Sequence, residues 1–176
     1  PPARIMLARI FFAINEVPSG RLNLERAAIE APDAPETHVL FGNLALAEGR
    51  LTDALLHFTV AVPMITNHKS MSPVRSDALL VQCYSGQASV YEQRQDWDAA
   101  QGAISVWLKK RPDDPVAHSR AGRVMFFQNR VSEALETLEK AYTLDEAAQK
   151  KLDPKAKPRL ERAETALGWL YTQNNE

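Results

Sequence analysis

The chain repeats itself with a period of 80 residues. Laid over 111–176 at that offset, residues 31–96 place Pro32 on Pro112, Asp33 on Asp113, Pro35 on Pro115, His38 on His118 and Gly42 on Gly122. Arg50 then falls on Arg130, Ala54 on Ala134, Leu55 on Leu135, Ala61 on Ala141 and Tyr91 on Tyr171. Conservative pairs fill the intervals: Leu51 with Val131, Thr52 with Ser132, Asp53 with Glu133, Phe58 with Leu138. A fixed period of this kind denotes stacked supersecondary units rather than one continuous core. Arrays of that kind present surfaces, which points to binding rather than to chemistry.

The units are helical. Val39, Leu40, Gly42, Leu44, Ala45 and Leu46 recur at helical spacing, Glu48-Gly49-Arg50 interrupts, and Leu51, Ala54, Leu55, Phe58, Ala61 and Val62 resume. Two such stretches around a glycine turn make an antiparallel hairpin. The same grammar predicts helices over 3–15 and 20–30, 73–94 and 97–110, and 114–128 and 131–150, with a last one over 159–173. Asp33-Ala34-Pro35, Ser72-Pro73, Asp113-Asp114-Pro115 and Asp153-Pro154 read as capped helix starts with proline in the first turn. No window alternates long enough for a strand.

These residues resemble the tetratricopeptide repeat family, whose pattern is a large apolar residue followed by a small one, an aromatic three further on, an alanine and an aromatic in the second helix, and a closing proline. The pattern reads Phe41-Gly42, Ala54, Phe58, Ala61; Gln87-Ala88, Tyr91, Trp97, Ala100, Ile104, Pro112; and Ala121-Gly122, Met125, Ala134, Leu138, Ala141. A last half-unit reads Leu167-Gly168 and Tyr171, and a degenerate first unit Leu7-Ala8, Phe11, Leu24, Ala27, Pro32. The resemblance implies an all-α, right-handed superhelical solenoid of about nine helices forming a single domain over 1–176, with repeats at about 1–34, 35–72, 73–114 and 115–153 and a half-repeat or capping helix at 154–176. Gly42, Ala88, Gly122 and Gly168 are spaced 46, 34 and 46 residues apart, against a family period of 34. Two insertions, near 63–74 and 143–156, account for the difference. They are expected as helix extensions with short loops, outside the core.

Composition narrows the function. The chain of 176 residues carries a net charge of −1, so no overall field favours nucleic acid or an anionic membrane. No apolar run approaches a membrane span, and residues 1–15 lack a signal-peptide cleavage site. Cys83 is the one cysteine. It excludes an internal disulfide, reads as a small buried apolar residue, and is compatible with a reducing compartment such as the cytoplasm; localisation is otherwise unassigned. The Pro1-Pro2 opening and the Asn174-Asn175-Glu176 close are read as marks of a segment from a longer protein.

No catalytic constellation emerges. Cys83, Ser85, Ser89 and Ser119 stand in no nucleophile elbow or local triad, and no phosphate-binding glycine loop is present. His38, His57, His68 and His118 are not spaced as metal ligands, and packing is their expected role. No cofactor is implied. The basic run Lys150, Lys151, Lys155, Lys157, Arg159, Arg162 reads as a solvated linker and helix start.

The resemblance directs attention to the concave surface lined by the first helix of each hairpin. Helical periodicity places Glu36, Val39, Leu40, Asn43, Leu46 and Ala47 there in one unit, with Ser85 and Ser89 in the next. Arg120, Arg123 and Phe126 follow in the fourth unit, and Trp169 in the half-unit. Arg120 and Arg123, at i and i+3, form a candidate pair for a carboxylate, with Phe126 and Trp169 for an apolar side chain. Some family members hold a chaperone's C-terminal carboxylate with Lys, Asn, Lys and Arg. Asn43 and Arg120 match that set, while Val39, Val116 and Ser89 depart from it. The expected function is a protein-interaction scaffold that binds a peptide or partner segment, acidic or carboxylate-bearing, in the groove. The alternatives are an oligomerisation or structural module that uses the apolar first helix through Ile5, Ile10, Phe11 and Phe12, and a regulatory domain of a larger enzyme.

Overall fold

The computed structural model describes residues 2–174; Pro1, Asn175 and Glu176 lie outside the described residues. Nine helices and no strand are found there: α1 (Ala3–Ala13), α2 (Val17–Glu30), α3 (Pro35–Ala47), α4 (Leu51–Thr66), α5 (Pro73–Gln93), α6 (Trp97–Lys110), α7 (Pro115–Phe127), α8 (Val131–Leu152) and α9 (Ala163–Asn174). The chain divides between Val90 and Tyr91, inside α5, into two compact units. Each is described on its own.

One turn closes four pairs of helices. Asn15, Gly49, Gln95 and Asn129 all adopt the left-handed conformation, with φ of 62°, 71°, 58° and 62°. The following N–H in each case reaches back five residues: Glu16 to Phe11, Arg50 to Ala45, Asp96 to Tyr91 and Arg130 to Met125, at 2.8–2.9 Å. The turn residue itself bonds three back, as Gly49 does to Leu46 at 3.1 Å. These are Schellman motifs, which satisfy carbonyls that a helix end leaves unpaired.

The first unit is held by two apolar clusters. Ile5, Ala8, Leu24, Ala27 and Leu40 join α1, α2 and α3. Val39, Ala45, Ala54, Phe58, Ala61, Ile65, Leu79, Leu80, Cys83 and Val90 join α3, α4 and α5. Phe58 is fully buried and sits between two glycines. A Cβ at Gly42 would lie 2.6 Å from its ring, and one at Gly86 closer still. The sequence pattern had placed the small contact residue of this third unit at Ala88. Ala88 is also fully buried, but Gly86 is the residue that meets Phe58. In the second unit Phe126, Ala134, Leu138, Ala163, Leu167 and Leu170 join α7, α8 and α9, and Gly122 meets Leu138, whose Cγ would be 2.7 Å from an added Cβ.

The two insertions do more than extend helices. Ile65 is buried and Met71 packs against the same cluster. Beyond α8, residues 153–162 are not helical, so Asp153-Pro154 starts no helix and α9 begins at Ala163 rather than 159. The reason is Asp145, a buried carboxylate on α8 that accepts the backbone N–H groups of Arg159 and Leu160 and the Gln149 side-chain amide. Burial by itself would push the Asp145 carboxyl up. The bonds from Leu160, Gln149 and Arg159 and the Arg159 charge outweigh it and hold the group below its ordinary value. The second insertion is thereby tied into the fold.

Candidate functional site

The first unit contains a cavity of about 410 Å³ lined by Arg9, Phe12, Asn15, Val17, Leu40, Asn43, Leu44 and Ala47. Leu40 and Leu44 are nearly covered and form an apolar floor. Arg9, Asn15 and Asn43 supply guanidinium and amide groups at an otherwise apolar site, a common makeup for a ligand pocket. The turn residue Asn15 is placed there by its left-handed backbone. Asn43, Leu40 and Ala47 belong to the α3 face that helical periodicity assigns to the expected groove. Arg9 and Asn15 were not, although a lone arginine within the apolar Ile5–Ile14 run was a visible signal. Glu36 and Val39, read from the same helix face, are buried. Glu36 forms an ion pair with Arg75 on α5, whose Nε donates at 2.7 Å.

Ser85 and Ser89 sit half-buried on α5, each hydroxyl donating to a carbonyl of its own helix: Ser85 to Gln82 and Ser89 to Ser85, both at 3.1 Å. Hydroxyls used in this way turn back on the helix.

In the second unit Arg120 and Arg123 differ sharply. Arg123 is exposed. Arg120 is 21 % exposed, donates from Nε to Glu92 Oε1 at 2.8 Å, and lies over the Trp107 ring, 5.9 Å from its centre. The pair therefore does not stand open together as a carboxylate fork. Phe126 is not on an open surface either. At 6 % exposure it packs edge-on against Tyr171, 4.8 Å between ring centres, because α9 covers this end of α7. Trp169 is 60 % exposed. Ile5, expected as part of an exposed apolar face, is buried between α1, α2 and α3, while Ile10 is exposed and Phe11 and Phe12 are half-covered.

Other titratable groups are built into the frame. His38 and His57 face each other with Nδ1 atoms 3.1 Å apart, and Phe41 stacks on His57. Burial lowers both imidazole pKa values, and the neighbouring His38 lowers His57 further. His118 donates from Nε2–H to the Pro112 carbonyl at 2.7 Å. Burial pushes the Cys83 thiol up to about 12, which makes it inert as a nucleophile. Among the described residues no three His, Cys, Asp or Glu side chains converge as metal ligands, and no helix is long and apolar enough to cross a membrane.

No curated protein sequence matches the chain significantly. Solved structures do. MamA from AMB-1 superposes with a TM-score of 0.61 at 19 % identity, over 88 % of this chain and 78 % of that one. MamA from MSR-1 gives 0.57 at 20 %, over 82 % and 76 %. The C-terminal TPR-containing domain of a Plasmodium falciparum protein described as FK506-binding gives 0.57 at 16 %, over 81 % and 93 %. These likenesses concern the fold. The family model for the tetratricopeptide repeat matches residues 5–67 and 86–150, the stretches that carry the Schellman turns and the glycine contacts, and the chain belongs to the tetratricopeptide repeat family, whose helical hairpins serve as protein-interaction scaffolds.

Proposed function

We propose that the chain is a scaffold that captures a partner segment through the cavity of its first unit. The observation that carries this reading is the cavity itself: an apolar floor of Leu40 and Leu44 with Arg9, Asn15 and Asn43 around it. The floor takes an apolar side chain. The two amides bond a peptide backbone, and the exposed Arg9 guanidinium favours a carboxylate close to that side chain. Arg123 and Val116, exposed one face apart from Gly122 on α7, offer a second cationic and apolar contact in the other unit. Arg120 acts there as a positioned neighbour, already paired with Glu92.

The test is fluorescence polarisation with short peptides ending in a leucine, as free carboxylates and as amides. The carboxylate form binds at least about tenfold more tightly, a difference of about 1.4 kcal/mol, and the preference shrinks with salt. Arg9→Ala removes the preference and Asn43→Ala weakens both forms. Equal affinity of carboxylate and amide for wild type, or unchanged binding by the Arg9→Ala, Asn43→Ala double variant, overturns the reading.

A further inference from the structure

Two apolar surfaces are left without partners, and they match. The first is on α1. Met6, Leu7 and Ile10 of α1 and Ile14 at its C-cap fall within an arc of about 100° on a helical wheel, and all four are exposed, between 41 % and 62 %. Arg9 flanks this stripe, and the first turn carries no acid. Exposed apolar stripes of this kind mark interaction sites.

The second is in the other unit, between α8 and the start of α9. A groove of about 600 Å³ there is lined by Leu135, Glu136, Glu139, Lys140, Thr143, Leu144 and Glu164. An independent observation says what shape it lacks. Gly42 and Gly122 each meet a large side chain from the second helix of their own hairpin, Phe58 and Leu138. Gly168 holds the equivalent position on α9, one turn beyond Glu164, and nothing lies within 4 Å of where its Cβ would be. The position that elsewhere receives a helix is open.

We propose that copies of this chain assemble head to tail, the apolar stripe of α1 in one copy docking as a helix in the α8–α9 groove of the next. The lengths agree: Met6 to the C-cap Ile14 spans about 12 Å and Leu135 to Leu144 about 13.5 Å. The charges agree as well, with Arg9 meeting three glutamates against one lysine at the groove. Trp169 and Tyr171 add exposed aromatic surface on α9, at 60 % and 48 %. The contact joins different surfaces on the two copies, so it propagates rather than stopping at a pair. One helix in one groove is a small interface, and assembly rises with concentration. The assembly draws on the same Arg9 that lines the peptide cavity, and it is tested without peptide.

The experiment uses light scattering on the purified chain over a wide concentration range, with circular dichroism to check folding. Wild type gains mass beyond a dimer as concentration rises. Ile10→Glu, at an exposed position, stays helical and monomeric. Gly168→Leu, which fills open space without touching the monomer's interior, does the same. Mixed together, these two variants form a one-to-one complex and nothing larger, since each retains the surface the other has lost. A wild type that is monomeric throughout, variants that assemble like wild type, or a mixture that stays monomeric overturns the proposal. A wild-type mass that stops at a dimer overturns it too, because that is the mark of a symmetric contact.

Discussion

The hairpins α3–α4 and α7–α8 are the same object built twice, 80 residues apart, and they differ where a repeat is free to differ. Their turns share the left-handed residue and the five-residue return bond. Arg50 pairs with Asp53 as Arg130 pairs with Glu133, at 2.5 and 2.6 Å. Each sets a glycine against a large side chain. But Phe58 touches glycines on two helices where Leu138 touches one. Asp114 caps α7 with bonds to the Val116 and Ala117 N–H groups, whereas Ala34 holds nearly the same backbone geometry with no side-chain cap. His38 faces His57, while His118 bonds a carbonyl and Thr137 stands in the place of His57. The frame is repeated; the wedge, the cap and the polar pair are local.

Truncating the wedges gives the largest effect. Phe58→Ala costs about 3–5 kcal/mol and Leu138→Ala about 2–5. Within those ranges the Phe58 variant loses more, because its ring is wholly enclosed and supports three helices. Denaturant midpoints measure both, and a larger loss at Leu138 breaks the comparison.

Exchanging the caps comes next. Asp114→Ala costs about 0.5–2 kcal/mol, and Ala34→Asp returns a similar amount at the start of α3. The backbone is already shaped for it, with φ and ψ of −82° and 108° at Ala34 against −78° and 110° at Asp114. Thermal melts of the two variants check it. No gain from Ala34→Asp would show that the nearby buried Glu36 carboxylate repels the new acid.

The smallest effect is acid sensitivity at the histidine pair. Burial lowers the folded-state pKa of His38 and His57, with the Asp53 charge opposing and Arg50 assisting at His57. Below the ordinary value of about 6.5 the unfolded chain binds protons that the folded pair resists, so stability present above that pH drains away as pH falls toward the folded values. His57→Gln flattens this limb, read as melting temperature against pH. A limb of unchanged slope in the variant assigns the acid response elsewhere.

Periodicity made the helices and their order legible, because apolar spacing is fixed by the helix itself. The turns were legible at Gly49, but Asn15, Gln95 and Asn129 adopt the same conformation without glycine, and only the backbone reveals it. The site was harder to read. Helical spacing places a residue on a face but does not say what else packs there. Phe126 was read as open because its cover, Tyr171, comes from α9; Arg120 was read as exposed because Glu92 and Trp107 come from earlier in the chain. Asn43 is exposed on α3, as the helical period places it, but the residues that face it, Arg9, Phe12, Asn15 and Val17, come from other elements and carry no signal at its own position. The start of α9 was misplaced because a carboxylate 14 residues away at Asp145 holds the Arg159 backbone.

The Schellman turns also govern how the chain reaches this state. Each return bond closes within five residues, and each hairpin brings together segments that are neighbours in sequence. Closing such short loops costs little entropy before contacts are formed. Low contact order of this kind favours rapid folding, and quasi-one-dimensional arrays can nucleate at any repeat. Four equivalent turns give four starting places. A polypeptide emerging from the ribosome therefore exposes the turn at Asn15 long before the residues that complete α9 have been synthesised.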